Sequence, residues 1–370
     1  MARKVGLACR IAQHRVAGEA RQTRRESAMQ WTMPPETAPQ ARIWMCFPRV
    51  CETLGGTQAE RDEGYAAWTA VAHAVAGFEP VTMVVDPSEA ARARDMLGSG
   101  IEQVGRVIDD FWMRDSGPTF VHAADGSVAA VDWIFNAWGG NVATGAEHDR
   151  GLAAFVAGVA GVPVIPSLLV NEGGGLHVDG AGTVLLTETV QLDPGRNPHA
   201  DKARVEAEMA RLLGARKAIW LPRGLTRDYD ARGTRGHVDI VAAFPAPGRV
   251  LIHDQRDPGH PDHAVTAEVR ATLAAATDAA GRRFEIVDVP APGCLRDGEG
   301  FVDYSYINHL VVNGGVIACS FGEPRADAVA AEILGAAYPG RRVVSVDARA
   351  LFARGGGIHC ITQQEPKARA

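Results

Sequence analysis

No stretch of the 370-residue chain stays apolar for the ~18–20 residues that a membrane-spanning helix needs. The longest candidates, Val162 to Val170 and Val311 to Ala318, have the length of strands. The basic opening lacks the apolar central block of a secretory signal. A cytoplasmic location is therefore expected. Of six cysteines, Cys9, Cys46, Cys51, Cys294, Cys319 and Cys360, no two form a C-x-x-C pair. Free thiols in a reducing compartment are the expectation, and Cys319, inside the apolar run VIACSF, reads as packing. H-E-x-x-H is missing. So are glycines of the GxGxxG kind between a strand and a helix, which speaks against a dinucleotide. No metal and no organic cofactor is expected.

Positive charge is also scarce. The formal net charge is −6 and unevenly spread, because residues 1–29 carry seven Lys/Arg against two Glu, leaving about −11 for the rest. An acidic body argues against nucleic acid, whose partners show a basic face. It suits a small cation, which summed negative charge concentrates locally. Residues 1–30 read as a disordered basic extension, with Met29 and Met33 as alternative starts. Residues 31–368 read as one catalytic domain. Oligomeric state stays open, a homo-oligomer included.

From about residue 40 the chain alternates strands and helices. Strand-like runs are Arg42–Phe47, Val81–Val85, Val162–Val170, Ile219–Leu221 and Val343–Val346. Helical patterns cover Ala59–Val75, Asp149–Val159, Asp201–Leu213, His263–Ala279 and Ala326–Ala337. An α/β fold follows. One pattern recurs: a polar, glycine-rich segment enters a strand, turns at Gly or Asp-Gly, and returns. The copies are RDSGPTFVHAADGSVAAV, EGGGLHVDGAGTVLLTE, GHVDIVAAFPAPGRVLIH and SYINHLVVNGGVIACSF, and a fifth strand entry, GGGIHC, ends at Cys360. Asp125-Gly126 and Asn313-Gly314 accept the positive φ that tight hairpins require. Each copy opens with a reactive polar residue: Asp115, Glu172, His237 with Asp239, Asn308, then Cys360. A loose period near ~60 residues suggests five related units about an axis, with these groups converging. The alternative is chance recurrence of hairpins in a mixed sheet.

His237 and Asp239 stand two apart, and on a strand both would face one side. A His beside a carboxylate can carry protons near neutral pH, although a structural His bonded to a carboxylate is as common. Cys360 follows Gly355–Gly357, whose missing side chains permit close backbone approach and an activated thiol. His359, on the opposite face of such a strand, reads as structural. Strand alternation would likewise pair Trp112 with Arg114 and Met113 with Asp115. Singly, Asp115 and Glu172 are more often solvated or capping acids. Together the groups describe a pocket with a thiol, a His and three carboxylates, suited to a planar guanidinium. A zinc site from His177, Asp179, His237, Asp239, His359 and Cys360 is the rival reading. Trp133, Phe135 and Trp138 form either an aromatic wall or core, with core the expectation for two of them.

These motifs resemble the agmatine deiminase family of the guanidino-group-modifying superfamily. The matching strings are MPPETAPQARIWMCFP, DDFWMRDSGPTFV, VDWIFNAWGG, NEGGG, RGHVDI, YSYINHLVVNGGVIACSFGEP and GGGIHCITQQEP, spanning residues 33–366. The resemblance implies a five-bladed α/β propeller with pseudo-fivefold symmetry in a single domain. It implies Cys360 as nucleophile and His237 as general acid/base. Asp115 and Asp239 become guanidinium-binding carboxylates, Glu172 the acid that orients the His, and Trp112 and Asn308 pocket residues. The implied reaction converts agmatine to N-carbamoylputrescine and ammonia. Peptidyl-arginine or other guanidine deiminases, an amidinotransferase, and a non-catalytic propeller that binds partners are the alternatives. Two positions depart from the family pattern: Ile240 replaces a polar residue, and His309 an aromatic one. Both are expected to alter the far end of the pocket. Arg114, Arg223 and Arg235 cannot be placed from sequence.

Overall fold

The computed structural model describes residues 31–140 and 146–369. The expectation for residues 1–30 falls outside them.

One unit, an antiparallel strand pair extended by a parallel strand after a helix, is repeated through the chain. Strands β4 (Thr119–His122) and β5 (Val128–Ile134) pair antiparallel, and β6 (Val164–Val170) joins β5 in parallel after the helix Leu152–Ala160. The second copy is β7 (Leu176–Val178), β8 (Thr183–Thr187) and β9 (Lys217–Leu221), with helix Lys202–Leu213 as its crossover. The third is β10 (Ala242–Ala246), β11 (Arg249–Asp254) and β12 (Glu285–Pro290), with helix Asp262–Ala275. A small hairpin, β13 (Arg296–Asp297) and β14 (Gly300–Phe301), precedes the fourth. That copy is β15 (Leu310–Val312), β16 (Gly315–Ser320) and β17 (Arg342–Asp347), with helix Pro324–Ala337.

The remaining unit is assembled from both ends of the described chain. The last strand, β18 (Thr362–Pro366), pairs antiparallel with β1 (Gln40–Cys46), Met45 facing Thr362 and Trp44 facing Gln363. β1 then takes β2 (Val81–Val85) in parallel after helix Gln58–Ala76, and β3 (Glu102–Gly105) adds outside it. The Trp44 indole N–H donates to Glu365 Oε2 at 2.8 Å and so ties the two ends. This is why GGGIHC looked like an unpaired fifth entry in sequence: its partner strand lies more than three hundred residues earlier.

Local chemistry explains the elements. Thr57 and Glu60 form a reciprocal capping box at the start of helix Gln58–Ala76. That helix buries Tyr65, Trp68, Ala72 and Val75, one stripe at three- and four-residue spacing. Val205, Met209 and Leu212 do the same for helix Lys202–Leu213. Gly126 (φ +84°) and Gly314 (φ +72°) supply the left-handed turns of their hairpins. Cys319 is buried in the largest apolar cluster, as expected.

Three sequence readings need correction. The helix foreseen over His263–Ala279 stops at Ala275, because the Asp278 carboxylate accepts the Ala280 and Arg282 amides and closes a turn instead. Helix Ala90–Leu97 was missed; its lead-in turn is marked by Asp86, which accepts the Ser88 amide, and by Pro87. The third concerns strand parity at the site. Asp239 lies in a single tight turn, Val238–Ile240, that His237 precedes, and Asp115 in the helical turn Met113–Ser116, that Trp112 precedes. Cys360 likewise precedes its strand in a turn. The Asp228 carboxylate accepts the amides of Thr234, Gly236 and His237 and so fixes the approach to the Val238–Ile240 turn, which the Val241 amide closes by donating to Val238 O.

Candidate active site

Each unit contributes the residues just ahead of its first strand, and hydrogen bonds show that these entries meet. The Arg114 amide donates to Cys360 O at 3.1 Å. Gly174 N donates to Asp115 Oδ1 at 3.2 Å. His237 Nε2 lies 3.3 Å from Glu172 Oε2 and its Nδ1 3.8 Å from Asp115 Oδ1. Asp239 Oδ2 and Asn308 Nδ2 lie 3.6 and 3.3 Å from Cys360 Sγ. The five entries are therefore one site, as the recurrent spacing suggested.

The glycines make room for it. A Cβ on Gly356 would sit 3.0 Å from Cys360 Sγ and 2.8 Å from Trp112 Cζ3, so the thiol and the indole are packed directly on bare backbone. A Cβ on Gly174 would collide with His237 Nδ1.

Burial is nearly complete: Glu172 is 0%, His237 1%, Asp239 2%, Asp115 3% and Cys360 6% exposed, which makes charge pairing the governing term. Burial would raise Glu172, but Arg196, whose Nε lies 3.0 Å from both its oxygens, and His237 outweigh it and hold the carboxylate below its ordinary range. Burial also opposes charge on His237, yet Asp115, Glu172 and Asp239 push its pKa up to about 9. Asp115 is pushed up to about 6, by burial and by the neighbouring Asp239 and Glu172, against the pull of His237. Asp239 is held low by His359, His237 and Arg114, which overcome its burial. Cys360 is raised well above the ordinary thiol by burial, Asp239 and Asp115. At rest it is therefore a thiol.

Among the buried polar atoms that lack a hydrogen-bond partner, two belong to the catalytic candidates beside the thiol: His237 Nδ1 and Asp239 Oδ1. Orphaned buried polar atoms carry a cost of ~1–3 kcal/mol each. Such atoms beside a thiol mark a place where a ligand supplies the missing partners.

Sequence reasoning missed several contributors. Trp138, whose indole N–H donates to Asp115 Oδ2 at 2.9 Å, is part of the site, while Trp133 bonds Thr119 Oγ1 in the core. Trp138 itself sits at φ +54°, an uncommon conformation for a bulky residue. Arg196 had no sequence signal at all. Glu36 gathers His359, Arg114 and His177 beneath the site. Its only sequence mark was membership of the string MPPETAPQ. Arg114 is buried and bonds His359 O and Gln364 Oε1, whereas Arg223 pairs with Glu268 on the surface and Arg235 with Asp193.

Among the described residues no group of three or more His, Cys, Asp or Glu is arranged to hold a metal ion, although His237, Asp239, His359 and Cys360 of the rival set are neighbours. Asp179 Oδ1 accepts the Ala181 and Thr183 amides. The structure also places the two departures from the family pattern. Ile240 packs in the apolar cluster of the third unit, and His309 bonds Tyr306 O and Tyr338 OH. The Ile240 backbone carbonyl accepts from Ser305 Oγ at 2.7 Å.

Fold and site together define a guanidino-group-modifying protein. The chain belongs to the Porphyromonas-type peptidyl-arginine deiminase family, which it matches over residues 32–366. A relative from Streptomyces coelicolor is 55% identical over 341 residues, covering 92% of this chain and all of that one. The agmatine deiminase of Pseudomonas fluorescens is 39% identical over 359 residues, covering 90% of this chain and 95% of its own. The solved agmatine deiminase of Enterococcus faecalis superposes with a TM-score of 0.84 at 33% identity, over 91% of this chain and 96% of that one.

Proposed function

We propose that this chain is an agmatine deiminase, hydrolysing a C–N bond of agmatine to give N-carbamoylputrescine and ammonia. The observation that carries the reading is the pair of orphaned atoms, Asp239 Oδ1 and His237 Nδ1, buried beside the Cys360 thiol. The 33–39% identities to agmatine deiminases over nine-tenths of the chain support the choice of substrate.

In this reading Asp115 and Asp239 hold the guanidinium in a bidentate carboxylate clamp, and Trp112 and Asn308 shape its surroundings. The bound cation offsets the two acids that keep Cys360 protonated, so the thiol releases its proton to solvent as substrate binds. The thiolate adds to the central carbon. His237, charged below about pH 9, donates its proton to the departing nitrogen, which leaves as ammonia. An amidino-thioether remains on Cys360. Neutral His237 then takes a proton from water, whose oxygen attacks the same carbon. The C–S bond breaks, the hydroxyl proton of the adduct passes to the departing sulfur to restore the thiol, and the urea product leaves. Glu172, fixed by Arg196, orients His237 throughout. No step calls on a metal or organic cofactor.

The five repeated units are proposed to stand around a pseudo-fivefold axis, a five-bladed α/β propeller. The convergence of their entries at one site and the pairing of β18 with β1 support that arrangement. Residues 31–368 would form its single domain, in the cytoplasm, acting on a small guanidine cation.

Cys360→Ser tests the reading directly. Ammonia release from agmatine should disappear while the melting temperature stays unchanged. Turnover at the wild-type rate would refute the nucleophile; an inactive wild-type enzyme would favour a binding role or transfer to an amine.

A further inference from the structure

His359 immediately precedes the thiol, and carboxylates hold both its ring nitrogens. Nδ1 lies 2.8 Å from Asp239 Oδ2 and Nε2 lies 2.7 Å from Glu36 Oε1. A neutral imidazole donates through one nitrogen only, whereas carboxylate oxygens accept. Two such contacts at once require the doubly protonated ring. Its charged and titratable surroundings are Glu36, Asp239, Arg114, His177 and His309. Arg114 lies 3.7 Å from Glu36, and His177 lies 3.9 Å from its other oxygen. His309 bonds Tyr306 O and Tyr338 OH. Burial pushes His177 and His309 down to about 4, so both are neutral at pH 7. Burial and Arg114 work against charge on His359 as well, but Glu36 and Asp239 overcome them and raise it.

The ring has no lone pair to offer, so it is no general base. Its consequence falls on Asp239. With Oδ2 taken by His359 and set 3.6 Å from Cys360 Sγ, the carboxylate cannot rotate, and Oδ1 is the oxygen left unpartnered. The His359 amide, donating to Asn308 Oδ1 at 3.0 Å, fixes the backbone of the same segment. We propose that His359 is a positioning residue: a doubly donating imidazolium, anchored on Glu36, that locks the Asp239 carboxylate with one oxygen toward the substrate guanidinium and the other beside the thiol. The proposal rests on the reading of Asp239 as a guanidinium-binding acid.

A double-mutant cycle in steady-state kinetics with agmatine tests it. Glutamine reaches one carboxylate where the imidazolium reaches two. His359→Gln should lower kcat/KM by about 10²-fold, the scale of a small misplacement in a reacting site. In an Asp239→Asn background the same change should cost less than about 3-fold, because its target is already gone. Glu36→Gln, the milder variant should His359→Gln not fold, should show a smaller loss that also vanishes in that background. Where Asp239→Asn has no measurable turnover, agmatine affinity is compared in a Cys360→Ala background, with weakening by either variant expected. Equal losses in both backgrounds, wild-type kinetics of His359→Gln, or unchanged affinity overturn the proposal. If Asp239→Asn alone keeps wild-type kinetics, the reading of Asp239 fails first, and that result is distinct from a neutral His359→Gln.

Discussion

Trp138→Phe removes the indole N–H from the site together with part of a buried ring. The indole N–H donates to Asp115 Oδ2 at 2.9 Å, and the ring packs edge-on against Phe135 with centroids 5.1 Å apart, a contact phenylalanine can keep. Asp115 would retain the Gly174 amide on its other oxygen. A hydrogen bond to a charged group contributes about 1.5–3 kcal/mol. Each pH unit of pKa corresponds to about 1.36 kcal/mol, so the loss should raise the Asp115 pKa by about 1 to 2 units. The direction of the activity change follows from the role. Asp115 must be ionised to hold a guanidinium, so kcat/KM falls as pH drops through its pKa, about 6 in the intact site. His237 must be protonated to serve as the acid, so kcat/KM falls again as pH rises through about 9. The wild-type profile is thus a bell between those limbs. In Trp138→Phe the acid limb should move to about 7–8 while the alkaline limb stays. The assay is ammonia release from agmatine at substrate levels below KM, from pH 5 to 10. An unmoved acid limb would refute the link between Trp138 and the ionisation of Asp115. Movement of the alkaline limb alone would show that the indole acts on His237 instead.

Asp115→Asn should lower kcat/KM for agmatine by about 10²- to 10³-fold, since breaking a buried charge pair typically costs ~3–5 kcal/mol; unchanged kinetics would remove it from the clamp. Arg196→Met should destabilise the fold by about 3–5 kcal/mol in urea unfolding, because Glu172 and Asp193 both lose a buried partner. A change under about 1 kcal/mol, the range of a surface pair, would show that the network is solvated.

The site was legible where its chemistry coincides with its punctuation. Cys360, His237, Asp239, Asp115 and Glu172 each stand next to glycines or at the head of a hairpin, because a unit must bend sharply there to bring backbone to the centre. Gly356 between Trp112 and Cys360 is the clearest case. Strand alternation failed at those same bends, since Met113–Ser116 and Val238–Ile240 are helical turns and not strands. What stayed hidden comes from elsewhere in the chain. Arg196 reaches Glu172 from a loop 24 residues on, and Glu36 reaches His359 across 323. Neither carries a motif, because a buried counter-ion needs only length and charge. The hairpins and crossover helices were readable from period and turn residues. The closure of β18 on β1 was not, since no local pattern reports a partner at the other end of the chain.

The placement of the arginines decides between two substrates that share a guanidinium. Free arginine carries an α-carboxylate that agmatine lacks, and a buried carboxylate requires a cation or several donors. Both buried arginines near the thiol are already committed. Arg114 donates to His359 O and Gln364 Oε1 and lies 3.7 Å from Glu36. Arg196 is divided among Glu172, Asp193 and Thr234 O. Arg235 faces Asp193 and Arg223 faces Glu268. Recruiting Arg114 or Arg196 would strip a buried carboxylate of its partner, which costs about as much as the new pair gains. Among the described residues, then, these cations are poor partners for an incoming carboxylate. Agmatine should exceed arginine in kcat/KM by about 10²-fold or more, the discrimination expected when one substrate brings an unpaired charge worth ~3 kcal/mol into a buried site. Parallel measurements of ammonia release from the two compounds would give the ratio. A ratio near one would mean that one of these arginines leaves its partner on binding, and substituting Arg235 with glutamine would then lower turnover of arginine while sparing agmatine.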